Sequence, residues 1–381
     1  MSVAAQRRWK VLLCLSALAA PLQAFTNPAS LHQRSNMRLL ATDDSDDDFA
    51  STVLIAGATG GVGSRVAAIL LAKGVNVRCL ARNEEKGRQI VSELSSLLQT
   101  LEQKGKRRCG AAEVMVGDVS DAATLTKPIF EGVQAIIICT AATVRPKAAE
   151  EADSEESMSY RGVRYFEPEL VSDPKKVDFG GVKNLLNGAR AWSLVGEGRV
   201  ADIELDACPV DDEGGPLLPE LPNVIYVSSA YVTRPTRPDI NLLQEPPVVR
   251  MNDMLGGILT WKKEAEDLIR RSGFCYTIVR PCALTDGAGV IAASAPERLE
   301  MGQGDEFRGK IARTDVAALC VAALNCPEAA RKTFEVRRRK KEDEVPLGGP
   351  SGKAGCEVAD LSVLASEYAG WRTRFASLSR D

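Results

Sequence analysis

Three glycines spaced three apart, Gly57, Gly60 and Gly63, follow the apolar run Thr52 to Ala56. A glycine motif alone says little. Here it leaves a strand-like segment and enters a helix-like one, Ser64 to Lys73, closed by Gly74. In that setting Gly57 permits a tight turn and Gly60 lets backbone approach a pyrophosphate. Gly63 lets the helix pack close to the strand. The amides of Thr59, Gly61 and Val62 and of the helix start then face an anion. The chemistry predicted is dinucleotide binding. About twenty residues on, a carboxylate would normally hold a ribose 2′-hydroxyl. The second strand instead ends Leu80-Ala81-Arg82. A guanidinium suits a 2′-phosphate, so the expected cofactor is NADP(H), with Lys86 and Arg88 assisting.

The 381 residues contain one histidine, His32, in a segment read as removed. A Ser-His-Asp triad, a Cys-His dyad and a His-ligated zinc site are thereby excluded, and no metal site is expected. Carboxylates, hydroxyls, lysine, cysteine or a cofactor must carry any catalysis. The ten cysteines show no CxxC spacing. They are read as small buried hydrophobes in a reducing compartment.

The elements that must position these residues alternate. Strands are predicted at 52–56, 76–81, 113–116, 134–139, 223–227, 274–280 and 333–336. Helices are predicted at 64–73, 85–104, 122–130, 177–192, 255–271 and 315–324, the last capped by Thr314. Short apolar strands alternating with helices give an α/β protein with a doubly wound parallel sheet, a Rossmann fold. Ligands bind at the carboxyl ends of such strands. The loops there hold Gly57 to Gly63, Arg82, Asp118, Val119, Thr140, Ala141, Ser228, Ser229 and Pro281. Three stretches interrupt the ladder, at 144–176, 194–221 and 234–249, and are candidate lids or contacts for a substrate or protein partner. Glu357 to Phe375 reads as an amphipathic helix with Val358, Leu361, Leu364 and Tyr368 on one face. It is expected to pack on its own domain, with a partner surface as the alternative.

Residues 1–42 carry five Lys or Arg and no acid. Arg7, Arg8 and Lys10 precede the apolar run Val11 to Ala20, and Ala24 offers a cleavage point, as in a secretory signal. Phe25 to Thr42 has transit-peptide composition. A signal followed by an Ala24-Phe25 junction is similar to the bipartite presequence of algae with complex plastids. The expected location is the plastid stroma, with secretion or a mitochondrial presequence as alternatives. The division expected is a signal peptide at 1–24, transit peptide and acidic linker at 25–50, the cofactor domain at 51–339, and linker plus helix at 340–381. No run is long enough to span a membrane. The net charge is −3. Without residues 1–42, 43 basic residues face 51 acidic ones, which gives −8 and argues against nucleic acid as a partner. The basic runs Lys104 to Arg108 and Arg337 to Lys341 are read as solvated loops or helix ends.

With Gly57-x-x-Gly60-x-x-Gly63, Arg82, Gly117-Asp118, Ser228-Ser229 and Tyr276-Thr-Ile-Val-Arg280-Pro281, the chain resembles the atypical short-chain dehydrogenase/reductases, the NmrA-like NAD(P)-binding proteins, over about residues 52–337. Leu255 to Lys262 and Tyr276 to Thr285 look like plastid members of this group. Some of those carry an inserted domain similar to complex I intermediate-associated protein 30, where this chain has an acidic linker near 195–221. The resemblance implies Ser-Tyr-Lys chemistry. Tyr moves a proton, Lys lowers its pKa and holds the nicotinamide ribose, and Ser orients the carbonyl. The Ser position falls on Ser229 and the Lys position on Lys262. The Tyr position falls on Ile258, which transfers no proton. Tyr231 is a candidate substitute, with a packing role as its alternative.

Three readings follow. The first is an NADP(H)-dependent plastid reductase of a small carbonyl or alkene. The second is a non-catalytic NADP(H)-binding scaffold or assembly factor for photosynthetic or electron-transport complexes. The third, an RNA-binding scaffold using the two basic runs, is opposed by the net charge.

Overall fold

The run Thr52–Ala56 forms strand β1, covered on both faces, which is why its hydrophobicity is continuous rather than alternating. A computed structural model describes residues 51–103, 109–146, 158–160, 163–165, 168–193, 221–286, 298–339 and 368–381. β1 joins one eight-stranded sheet with β2 (Asn76–Ala81), β3 (Ala112–Val116), β4 (Ala135–Ile138), β5 (Asn223–Val227), β6 (Tyr276–Pro281), β7 (Leu299–Gly302) and β8 (Lys332–Arg338). The order across the sheet is β7-β8-β6-β5-β4-β1-β2-β3. All neighbours are parallel except β7, which runs antiparallel to β8. The order reverses between β1 and β4, where Ala56 lies opposite Ile138. That reversal opens a crevice at the carboxyl ends of a doubly wound sheet.

Among the described residues, six helices of two or more turns flank the sheet: α1 (Gly63–Ala72), α2 (Glu84–Gln103), α3 (Gly181–Ser193), α4 (Ile258–Arg271), α5 (Arg313–Asn325) and α6 (Tyr368–Ala376). Side chains alternate along each strand, so the sheet has two cores. Val53, Ile55, Ile137, Ile225 and Val279 meet α1, α2, α5 and α6. Leu54, Ile136, Ile138, Val224 and Tyr226 meet α3 and α4. Within α6, Trp371 and Phe375 are buried, and the Phe375 ring lies 5.7 Å from that of Phe334 on β8. This part of the C-terminal helix packs on its own domain. The predicted Val358, Leu361 and Leu364 face lies outside the described residues.

Several boundaries differ from expectation for identifiable reasons. The helix expected at 122–130 is a 3₁₀ turn, Ala122–Thr124, and a separate helical turn, Lys127–Phe130. Pro128 has no N–H to continue a helix from the first turn. The helix expected from 255 starts at Ile258, because Gly256 (φ 65°) and Gly257 (φ 74°) are left-handed. Thr314 is no cap: α5 begins at Arg313 behind Ala312, and the Thr314 hydroxyl accepts from Arg65 Nε at 3.2 Å. The helix expected at 177–192 opens with a π-helical segment, Lys175–Gly180. Arg337 and Arg338 are the last residues of β8, not a loop or a helix end. The edge strand β7 had no expectation attached to it. Residues 1–50, the basic run 104–108, the stretch 194–220 and residues 340–367 lie outside the described residues. No helix among the described residues is long and apolar enough to cross a membrane.

Candidate active site

Gly57 has φ +84°, and a Cβ there would meet the Cys139 carbonyl at 3.0 Å and the Thr140 amide at 3.1 Å. The turn after β1 therefore presses against the end of β4. The Gly60 amide donates to the Gly57 carbonyl at 2.9 Å. A Cβ on Gly63 would collide with that same carbonyl, so only glycine lets α1 start this close to β1. Val62 sits at the N-cap without a side-chain cap, and the first turn of α1 carries no acid. Thr59, Gly60 and Gly61 are exposed and Val62 is buried. The amides at the helix start thus meet no competing side-chain acceptor, and the dipole favours an anion in front of them. Two arginines brace the loop, one local and one distant in the chain. Arg65 donates to the Gly61 carbonyl at 2.6 Å, and the Arg313 side chain fills the space that a Cβ on Gly61 would need, 2.7 Å from its Cδ.

At the end of β2, Arg82 is exposed and makes no hydrogen bond or ion pair among the described residues. Its proposed helpers differ. Arg88 is committed to Glu84 at 2.5 Å, whereas the Lys86 ammonium is uncommitted. No carboxylate ends β2, since Asn83 follows Arg82 and uses its side chain to accept from the Lys86 amide. The Asp118 carboxylate folds its own turn, accepting from the Ser120 amide at 2.8 Å and hydroxyl at 2.7 Å. Val119 is buried, and its carbonyl accepts from Asn184 at 2.9 Å.

At the ends of β4, β5 and β6 the other candidates gather. Ala141 is exposed, while the Thr140 Oγ1 atom is buried with no hydrogen-bond partner. An orphaned hydroxyl of this kind is costly unless a ligand or water meets it. Lys262 is buried, its Nζ 2.9 Å from Asp178 Oδ1 and 5.5 Å from the centre of the Tyr226 ring. The other Asp178 oxygen accepts from the Ala142 amide at 2.9 Å, which ties Lys262 to the loop after β4. Burial works against the charge on Lys262, but the Asp178 carboxylate and the Tyr226 hydroxyl outweigh it and hold the ammonium above its ordinary pKa. Burial raises the Tyr226 phenol as well, and pushes the Cys139 thiol up to about 12. Ser229 is half-buried and donates to the Ala230 carbonyl at 3.0 Å. Its neighbour Ser228 donates to Glu266 at 2.6 Å, and Glu266 grips Arg280 at 2.9 and 2.6 Å. The Pro281 carbonyl accepts from Ala230 at 3.0 Å and so fixes the Ser229 loop to β6. Tyr231 is buried beside Cys282 and Leu259, and burial pushes its hydroxyl up to about 12.

Sequence reasoning missed Asp178, Glu266 and Arg313. Glu266 stands four residues before Arg270, an i,i+4 ion pair on α4 that spacing would have found. Asp178 and Arg313 carry no local signal, because their partners lie on other elements.

The glycine turn, the uncapped helix start, the uncommitted Arg82 and the orphaned Thr140 hydroxyl fit a nicotinamide dinucleotide. Comparison with known proteins agrees. Residues 50–156, which span β1 to β4, match the NmrA-like family, and residues 220–327 match an NAD(P)H-binding family. The chain is 28% identical over 303 residues to sanguinarine reductase of Eschscholzia californica, covering 76% of this chain and 90% of that protein. It is also 28% identical over 303 residues to an uncharacterized chloroplastic protein of Arabidopsis thaliana, covering 77% and 72%. Among solved structures, the oxidoreductase ylbE from Lactococcus lactis superposes with a TM-score of 0.44 at 16% identity, over 76% of this chain and 91% of that one. The chain thus carries an NmrA-like region and an NAD(P)H-binding region, and it is similar to plant proteins that include a reductase.

Proposed function

We propose that the chain is an NADP(H)-dependent reductase of the plastid that acts on a small carbonyl or alkene substrate. The observation that carries the cofactor choice is Arg82, an exposed guanidinium with no partner among the described residues, at the strand end where a 2′-phosphate would lie. The amides between Gly57 and Gly63 bind the pyrophosphate. Lys262, anchored by Asp178, holds the nicotinamide ribose; an ammonium has three donors and Asp178 takes one. Thr140 Oγ1 and Pro281 border the nicotinamide, and Ser229 orients the substrate. The reduced cofactor, when bound, supplies a hydride. Ile258 provides no phenol one turn before Lys262, so the completing proton comes from water. The reductase among the relatives supports the activity, and the chloroplastic relative supports the location.

The test is a titration of the full chain with NADPH and NADH, followed by nicotinamide fluorescence. NADPH is expected to bind more tightly, and Arg82→Ala to remove the preference. Oxidation of NADPH by a panel of aldehydes, quinones and enones then tests turnover. Failure of both nucleotides to bind would overturn the reading. The second reading, a cofactor-binding scaffold, is favoured by Ile258 and by the internal pairing of Lys262 with Asp178. It expects the same binding with no oxidation by any member of the panel.

A further inference from the structure

β6 and β8 are parallel neighbours, so the segments leaving their carboxyl ends lie side by side. Between them opens a cleft of about 420 Å³, within the range of small-molecule sites. Its walls carry Arg308, Lys310, Arg337, Arg338 and Arg339, with Asp286 as the one acid among the described residues. These residues come from three separate segments, so the cleft is more than the solvated end of one basic run. The pairing within it is uneven. Arg337 is taken by Glu300 at 2.9 and 2.8 Å, and Asp286 by Arg313 at 2.8 Å. Arg308 reaches only Glu245, at 3.9 Å. Lys310 and Arg338 are exposed without an ion pair among the described residues. Arg339 Nε is buried with no hydrogen-bond partner.

Three cations without an ion pair among the described residues, Lys310, Arg338 and Arg339, therefore share one concavity with Arg308, in a chain whose net charge is −3. An anion seated among them would remove their mutual repulsion and supply acceptors to the buried Arg339 nitrogen. A polynucleotide needs cations strung along a track, whereas these line one cleft. The cleft is also one ion pair from the pyrophosphate loop. Asp286 lines it and holds Arg313, and the Arg313 stem packs at Gly61. We infer that this cleft binds a small molecule bearing at least two anionic groups, and that it receives the anionic part of the substrate. The substrate role rests on the reductase reading, whereas the anion site stands apart from it.

The experiment is calorimetric titration of the full chain at fixed ionic strength, with citrate as the carboxylate probe and inorganic pyrophosphate as the phosphate probe. Each is run with and without saturating NADPH. At least one probe is expected to bind in the presence of NADPH, and the tighter of the two identifies the anion chemistry. Lys310→Glu/Arg338→Glu is expected to weaken it by about tenfold or more and to leave NADPH affinity within about twofold. Both side chains are exposed, and Lys310→Met/Arg338→Met repeats the test without charge reversal. Binding that is unchanged in both double variants, absent for both probes, or abolished by NADPH would overturn the inference. So would a single-stranded RNA decamer bound through Lys310 and Arg338 more tightly than either probe. Citrate binding that depends on these residues in a chain that binds no NADPH would support the anion site and sink the reductase reading.

Discussion

Lys262 was legible in the sequence by its place in a family pattern, but its environment was not. Asp178 comes from another helix and is buried to 1% exposure, while Lys262 keeps 6%. A buried pair of this kind is costly to break and cheap to replace. Asp178→Ala leaves an ammonium without its counter-charge and is expected to destabilise by about 3–5 kcal/mol in urea unfolding. Asp178→Ala/Lys262→Met is expected to recover most of that loss, which a merely packing role for Asp178 would not allow. The buried thiols set a pH dependence. Cys79 and Cys139 are held neutral, with pKa values near 12. A free thiol titrates at about 8.5. Their contribution is therefore full below about pH 8.5 and falls by about 1.4 kcal/mol per pH unit per thiol above it, until the folded value is reached. Denaturation midpoints from pH 7 to 11 should show the decline, and Cys139→Ala should flatten its slope.

The strands were the easiest elements to read, because β1, β4 and β5 are apolar on both faces and short. Helix starts were harder wherever glycine or proline decides them, as at Gly256-Gly257 and Pro128. The edge strand β7 was invisible: four residues, one of them a fully buried leucine, give no periodicity. What the glycine motif did convey was the contact between β1 and α1. Gly63→Ala places a methyl against the Gly57 carbonyl, with backbone on both sides unable to yield. It is expected to push α1 off the sheet, with a loss of at least about 2 kcal/mol and of NADPH binding together. Thermal melts and the fluorescence titration check the two effects. At the other end of the molecule, Phe375→Ala removes a ring that is fully buried between Phe334 and Trp371. A loss of about 3–5 kcal/mol is expected, with NADPH affinity in the surviving folded fraction unchanged.

For the molecule as a whole, alternating strands and helices imply a doubly wound parallel sheet, so the fold class was legible before any contact was known. The candidate site was legible only in short local patterns, the turn Gly57 to Gly63 and the strand end at Arg82. It was hidden where residues far apart in the chain meet, as in the pairs Asp178 with Lys262 and Gly61 with Arg313. If the crevice holds NADPH, the nucleotide at about a hundred times its Kd should raise the unfolding free energy by about 2.7 kcal/mol, and NADH at the same concentration by less. Scanning calorimetry with each nucleotide reads that difference directly. The Gly61 and Arg313 contact has an evolutionary reading. A methyl at 61 displaces the arginine stem, while a short residue at 313 gives up the ion pair with Asp286. Across descendants of this chain the two sites should drift as a coupled pair, a substitution at one recorded beside a compensating change some 250 residues away.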